Sequence, residues 1–265
     1  MNLIDINGEQ LEVIKIEGPT QRAPIIFLHE GLGSVSLWTQ RGFDWPLAVC
    51  NKAGRAGVVY SRRGYGRSAP APRSSAADGH KPGLLTPDYM HREALDVLPA
   101  LLAKLGITRP VLLGHSDGAT IALLHASRFE VAACIAMAPH VLVEDLSIRA
   151  IAKAKVAFET TDLRERLTRH HKDVDGAFWQ WNDVWLSPAF RAFDIRAECS
   201  NISVPLLLLV QGLDDEYGSM LQLDEIARAA PQARQLRLAN CGHSPQRDQP
   251  AATMEAAAAF LETAD

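Results

Sequence analysis

The chain has 265 residues, 47% hydrophobic and 22% charged, which is enough apolar mass to bury one sizeable core. Its 31 acids and 27 bases leave a formal net charge of −4 with no long block of either sign. That balance argues against non-specific attraction to nucleic acid or anionic lipid and leaves a small molecule as the expected partner, with oligomeric state unreadable. The opening residues lack the basic leader and apolar run of a secretory signal, no stretch reads as a membrane span, and Cys50, Cys134, Cys199 and Cys241 lie far apart without metal or redox spacing. A cytoplasmic protein with structural thiols is the expectation.

Residues 3 to 16 alternate apolar and polar positions around Asn7-Gly8, which predicts a hairpin of antiparallel edge strands with a tight turn. The pattern then changes to short continuous apolar runs: Ile25 to Leu28, Gly57 to Tyr60, Val111 to Leu113, Cys134 to Met137 and Leu206 to Val210. Runs of this kind suit strands buried on both faces of a parallel sheet. Helical stretches fall between them. The clearest is expected to open at Thr86-Pro87, a capping residue followed by proline, to carry Leu95, Leu98, Leu101 and Leu102 on one face, and to end near Gly106.

Two segments depart from the alternation. Ala69 to Pro87, rich in proline, alanine, serine and glycine, reads as an irregular loop. Residues from about 141 to 200 read as amphipathic helices crowded with Phe178, Trp179, Trp181, Trp185, Phe190 and Phe193. Because they interrupt the buried runs, they are expected to form a helical cap inserted over the sheet, dividing a core domain into residues 1–140 and 201–265. The whole predicts an α/β fold, a mostly parallel central sheet with helices on both faces, and a site at the carboxyl ends of its strands.

The chemistry concentrates at three such ends. Gly114-His115-Ser116-Asp117-Gly118 follows the run at 111–113 and precedes a helical stretch, the strand, sharp turn and helix that a G-x-S-x-G elbow requires. A serine hydroxyl is a poor nucleophile near neutral pH, so it needs a base within hydrogen-bond reach and a third group that fixes the base's tautomer. Gln211-Gly212-Leu213-Asp214-Asp215 supplies an acidic pair at the end of one buried run, and Asn240-Cys241-Gly242-His243 supplies a histidine in a late loop. Paired aspartates after a strand and a Gly-His in a loop are each commonly structural; serine, acid and histidine in that order at three strand ends are hard to obtain by accident.

On these residues the chain resembles the α/β-hydrolase superfamily of serine hydrolases with a helical cap. Phe27-Leu28-His29-Glu30-Gly31-Leu32-Gly33 is similar to the family's His-Gly oxyanion loop, with Glu30 where glycine is usual. Ser61-Arg62-Arg63-Gly64-Tyr65-Gly66-Arg67-Ser68 is similar to its Asp-x-Arg-Gly-x-Gly-x-Ser segment, with Ser61 for aspartate. The resemblance implies a triad of Ser116, His243 and Asp215, the last preferred to Asp214 by its distance from Gly212. It implies an oxyanion hole from the amides of Gly31 or Leu32 and of Asp117, and no metal or organic cofactor.

The other polar residues receive quieter readings. The side chain of Asp117 is expected to be structural at a helix start, His115 a packed neighbour and His170-His171 a solvated helix face. His140 is a candidate to face the substrate, and Trp181 and Trp185 to line an apolar pocket. The expected function is hydrolysis of a small carboxylic ester or lactone through an acyl-enzyme. Alternatives are a thioester, a carbon-carbon bond hydrolase of vinylogous diketones, a small-molecule receptor that keeps the triad, or cofactor-independent oxygenation by the His-Asp pair. A serine nucleophile disfavours the dehalogenase and epoxide hydrolase chemistries that the fold performs with aspartate.

Overall fold

The computed structural model describes residues 2–71 and 85–264, so residues 72–84, most of the segment expected to be an irregular loop, lie outside them. Strands β1 (Asn2–Ile6), β2 (Glu9–Ile16) and β3 (Ile25–Leu28) lead into a small ribbon of β4 (Thr39–Gln40) and β5 (Phe43–Asp44), then helix α1 (Trp45–Ala53) and β6 (Gly57–Tyr60). After the undescribed stretch come α2 (Tyr89–Arg92), one π-helical turn, α3 (Leu98–Leu105), β7 (Val111–His115), α4 (Asp117–Ala126) and β8 (Ala133–Met137). Four helices follow, α5 (Asp145–Thr160), α6 (Leu163–Leu167), α7 (Val174–Leu186) and α8 (Arg196–Cys199). The chain closes with β9 (Leu207–Gly212), α9 (Leu221–Ala229), β10 (Arg234–Leu238), α10 (Pro245–Asp248) and α11 (Pro250–Leu261).

The main sheet has the order β1-β2-β6-β3-β7-β8-β9-β10. Asn7 and Gly8 both take positive φ, 55° and 86°, so the hairpin turn twists with its strands, as an Asn-Gly pair favours. Of the two hairpin strands only β1 is an edge, however. β2 goes on to pair antiparallel with β6, setting Val13 opposite Tyr60, because buried Leu11 and Val13 belong to the core. From β6 onward every pairing is parallel.

The apolar runs are continuous because each strand feeds two cores. Ile26, Leu28, Leu112, Leu207 and Leu209 point to one side, where they meet Leu98 and Leu101, helix α4 and the aromatic residues of α7. Ile25, Phe27, Leu113, Leu208 and Val210 point to the other, against Trp45 and Val49 of α1 and Phe260 and Leu261 of α11. Each fully buried side chain of this size stabilises the fold by about 1.5–3 kcal/mol. β10 is the far edge and blunts it with exposed Arg234 and Arg237.

Two expectations need correction. The helix expected from Thr86 begins at Tyr89: the Thr86 carbonyl accepts the Tyr89 N–H at 2.9 Å in a turn, and its hydroxyl bonds to the Asp88 carboxylate instead of capping a helix. Its other end falls at Gly106, left-handed at φ 69°. His170 and His171 lie in the turn after α6, not on a solvated helix face. His171 is buried because its Nδ1 accepts the Gly66 N–H at 3.1 Å and its Nε2 donates to the Leu32 carbonyl at 3.0 Å. Among the described residues no helix is long and apolar enough to cross a membrane.

Candidate active site

At the carboxyl end of β7 the chain turns through Ser116 into α4. Ser116 has φ 54° and ψ −120°, a conformation that costs a side-chain-bearing residue on the order of 1–3 kcal/mol and is held by its surroundings. Its N–H donates to the Met137 carbonyl at 2.8 Å and its carbonyl accepts the Thr120 N–H at 3.0 Å. The flanking glycines are required by contact: a Cβ on Gly114 would collide with the Gly118 carbonyl, and one on Gly118 with the Leu28 carbonyl. Strand, nucleophile turn and helix are thus pressed together without room for a methyl group.

The acid and base loops cross at the ends of β9 and β10. Asp214 is exposed, and its backbone N–H is taken by the Cys241 carbonyl at 2.9 Å, whereas Asp215 turns inward. Asp215 Oδ1 accepts the N–H groups of Tyr217 at 2.8 Å and Gly218 at 3.2 Å, and Oδ2 accepts Gln211 Nε2 at 3.1 Å. His243 Nδ1 lies 2.9 Å from Asp215 Oδ1 and 3.0 Å from Oδ2, while its Nε2 lies 2.9 Å from Ser116 Oγ. A carboxylate only accepts, so Nδ1 carries the proton and Nε2 is left to accept the serine hydroxyl. Burial alone would lower the His243 pKa, but the charge and hydrogen bond of Asp215 outweigh it and lift it above the ordinary value. Burial likewise opposes the ionised Asp215, and the same partnership holds its pKa below the usual range. The Tyr217 ring lies 4.6 Å from the His243 ring and covers one flank.

The loop expected to supply an oxyanion donor follows β3. Gly33 N–H donates to the Glu30 carbonyl at 3.0 Å, a turn whose hydrogen bond leaves the amides of Gly31 and Leu32 at its crest. The turn is fixed from below by Arg62, which donates to the His29 carbonyl at 2.8 Å and the Glu30 carbonyl at 3.0 Å, and from the side by His171 on the Leu32 carbonyl. The Trp181 indole of α7 lies directly against Gly31, where a Cβ would strike it. Asp117, whose N–H opens α4, directs its carboxylate to the Tyr89 hydroxyl at 2.5 Å, with Arg62 3.7 Å away. Trp185 Nε1 donates to the same hydroxyl at 3.0 Å, and burial pushes the Asp117 pKa up.

His140 stands beside this centre. Ala138, with φ 48°, turns the chain out of β8, and Thr120 Oγ1 bridges the N–H and carbonyl of His140 at 3.0 and 2.8 Å. Its ring packs edge-on against Trp185 at 5.0 Å and lies 5.5 Å from His243. Burial lowers its pKa to about 3, so it is neutral, and its Nδ1 has no partner among the described residues. Thus Ser116, His243, Asp215, His140, Gly31, Asp117, Trp181 and Trp185 converge on one region, while Asp214 points away from it. Arg62, Tyr89 and Tyr217 receive no role from the sequence and His171 receives the wrong one, since each acquires its place through partners that sequence proximity does not reveal. Glu30 at a glycine position is the one local signal of an unusual neighbour.

Comparison with known proteins agrees with this geometry. The model of the Alpha/beta hydrolase family matches residues 25–256. The fold is similar to that of an enol-lactonase from Burkholderia xenovorans LB400, at 22% identity and a TM-score of 0.73, covering 98% of this chain and 100% of that one. It is similar to a carboxylesterase structure from the thaumarchaeon Nitrososphaera gargenis, at 17% identity and a TM-score of 0.73 over 97% of this chain and 95% of that one. A meta-cleavage product hydrolase from Pseudomonas fluorescens IP01 matches at 14% identity and a TM-score of 0.71, over 100% and 98% of the two chains. With its family model spanning most of its length and its strand order, elbow and loops accounted for, the chain belongs to the alpha/beta hydrolase family.

Proposed function

We propose that this protein is a serine hydrolase that cleaves a small carboxylic ester or lactone through a covalent acyl-enzyme. The observation that carries the reading is the unbroken relay from Ser116 Oγ to His243 Nε2 at 2.9 Å and from His243 Nδ1 to Asp215 at 2.9 Å. In this reading His243 accepts the Ser116 proton as Oγ attacks the carbonyl carbon, and Asp215 balances the imidazolium that results. The oxyanion is received by the N–H of Asp117 and that of Gly31 or Leu32, each donor contributing on the order of a hundred- to a thousandfold in rate. His243 then protonates the leaving group, and water enters by the reverse path to release the acid.

The helical segment 141–200 serves as the cap, with Trp181 over the oxyanion loop and Trp185 and His140 offering an apolar wall with one neutral polar edge. The names of the structural relatives, an enol-lactonase, carboxylesterases and a meta-cleavage product hydrolase, support a hydrolase reading and define the assay panel. The test is labelling with a fluorophosphonate, peptide mass mapping, then turnover of p-nitrophenyl esters, lactones and vinylogous diketones. Label confined to Ser116 with repeated turnover of an ester or lactone is expected. Label elsewhere, or a single event that leaves ligand attached, would overturn the reading in favour of a receptor.

A further inference from the structure

The residue before the nucleophile does more than fill space. His115 is buried, and its Nε2 lies 2.7 Å from the backbone carbonyl of His243, an acceptor only, so Nε2 carries the proton and donates it. Its other nitrogen, Nδ1, meets Gln246 Nε2 of α10 at 3.0 Å and Glu30 Oε2 of the oxyanion loop at 3.5 Å. One imidazole therefore touches the elbow, the oxyanion loop and the base loop at once. Glu30 is the residue that stands where the resembling family has glycine, and burial by itself would favour its neutral form. Its contact with His115 and the charge of Arg247 outweigh burial and hold its carboxyl well below the usual range.

We propose that His115, oriented by Glu30 and Gln246, is a positioning residue that clamps the backbone of the catalytic histidine and locks the oxyanion loop to it. Asp215 and Ser116 hold the His243 imidazole at its two ring nitrogens, but both contacts move with the backbone of the base loop if that loop shifts. A donor on the peptide carbonyl of the same residue opposes that shift. A misplacement of about 1 Å costs roughly a hundredfold in rate, so loss of the clamp acts on kcat and not on binding.

The inference rests on the triad reading, and fluorophosphonate labelling of Ser116 in the unaltered enzyme separates the two: without that label the triad fails whatever His115 does. Given the label, kcat, KM and the thermal midpoint are measured for His115→Leu, His115→Gln and Glu30→Gln. His115→Leu should lower kcat by about ten- to a hundredfold with KM within about twofold. His115→Gln, whose amide N–H reaches the same carbonyl, should recover most of that loss, and Glu30→Gln should lower kcat several-fold with the midpoint little changed. A kcat for His115→Leu within twofold of the parent, an equal loss in His115→Gln, or a change confined to KM overturns the proposal. If His115→Leu does not fold, Glu30→Gln decides alone, and an unchanged kcat there refutes the clamp.

Discussion

Asp215→Asn is the most informative single substitution in the proposed site, because the hydrogen bonds around Asp215 dictate how an amide must sit there. The Oδ1 side accepts two backbone N–H groups, from Tyr217 and Gly218, which an amide nitrogen cannot satisfy. The asparagine oxygen must therefore take that side, and its NH2 must take the Oδ2 side, 3.0 Å from His243 Nδ1, with the Gln211 amide turning its unpartnered Oε1 toward it. Only the oxygen, 2.9 Å from Nδ1, then still accepts from the ring, while the NH2 opposes a proton on Nδ1 and favours the tautomer that carries it on Nε2, facing Ser116 Oγ, where it can no longer receive the hydroxyl proton. Geometry survives while the tautomer inverts, a change that costs about 10⁴-fold in kcat, or about 5.5 kcal/mol of barrier. Asp214→Asn alters an exposed side chain whose loop is held by a backbone bond to Cys241, so it should leave kcat within about twofold. Initial rates on the best p-nitrophenyl ester of the panel compare the two. A larger loss in Asp214→Asn, or a loss below about tenfold in Asp215→Asn, would refute the tautomer argument.

Further expectations concern pH, packing and thiols. Because Asp215 lifts the His243 pKa above 6.5 and the neutral ring is the base, kcat/KM should fall on the acid side with a midpoint above 6.5. Removing Asp215 takes away the largest opposition to burial and leaves only the charges of Glu216 and Glu30 against it, so the residual activity of Asp215→Asn should titrate at lower pH than that of the parent, and an unmoved midpoint would show that another group controls the limb. His29, His140 and His171 are kept neutral by burial, His140 to a pKa of about 3 and His171 to about 4, while the unfolded chain accepts their protons near 6.5. The folded state therefore loses ground as pH falls, by on the order of 3 kcal/mol between pH 6.5 and 5.5, and equal urea midpoints at the two pH values would contradict this. Gly118→Ala drives a methyl group into the Leu28 carbonyl and should cost at least about 3 kcal/mol or prevent folding, read by urea melts. Cys50, Cys134, Cys199 and Cys241 are buried, with pKa values pushed by burial to about 11 or 12, so a thiol-exchange reagent should react with none of them rapidly until denaturant is added.

The features legible in the sequence are those decided by neighbours along the chain. Asn7-Gly8 announces its turn because only certain residues accept both positive φ values, and Leu112-Leu113 announces a central strand because both of its faces need apolar partners. The elbow is legible for the same reason, its glycines being demanded by contacts within five residues and one adjacent strand. By contrast, the acidic pair alone does not say which aspartate turns inward; only the resemblance favoured Asp215, and the physical reason lies in the Cys241 carbonyl, 27 residues after Asp214, which takes the Asp214 amide. His171 looked solvated because nothing near it in sequence is apolar enough to bury it, yet Leu32 and Gly66 supply polar partners from more than a hundred residues away. Thr86 misled for a local reason, since a threonine that can cap a helix can equally bond an aspartate two residues on.

The charge arrangement around the proposed oxyanion hole completes the argument for Arg62. Two carboxylates, Glu30 and Asp117, are carried by the same residues or loops that would present amides to a developing negative charge. A unit charge at about 6 Å in an environment of effective dielectric near 20 opposes that development by about 3 kcal/mol, enough to cancel one oxyanion donor. Arg62, a buried guanidinium that cannot give up its proton, stands 3.7 Å from Asp117, to which Tyr89 also donates, and it holds the backbone carbonyl of Glu30, whose carboxylate is answered by the charge of Arg247. On the other side of the loop His115 faces Glu30 at 3.5 Å. The field of Asp117 is offset where it stands by Arg62 and that of Glu30 by Arg247, which lets the loop be rigid without turning its electrostatics against the chemistry proposed for it. Rigidity and charge balance are thereby obtained from one set of contacts, which is why Arg62 and His115, neither of them a member of the triad, sit where the three loops meet.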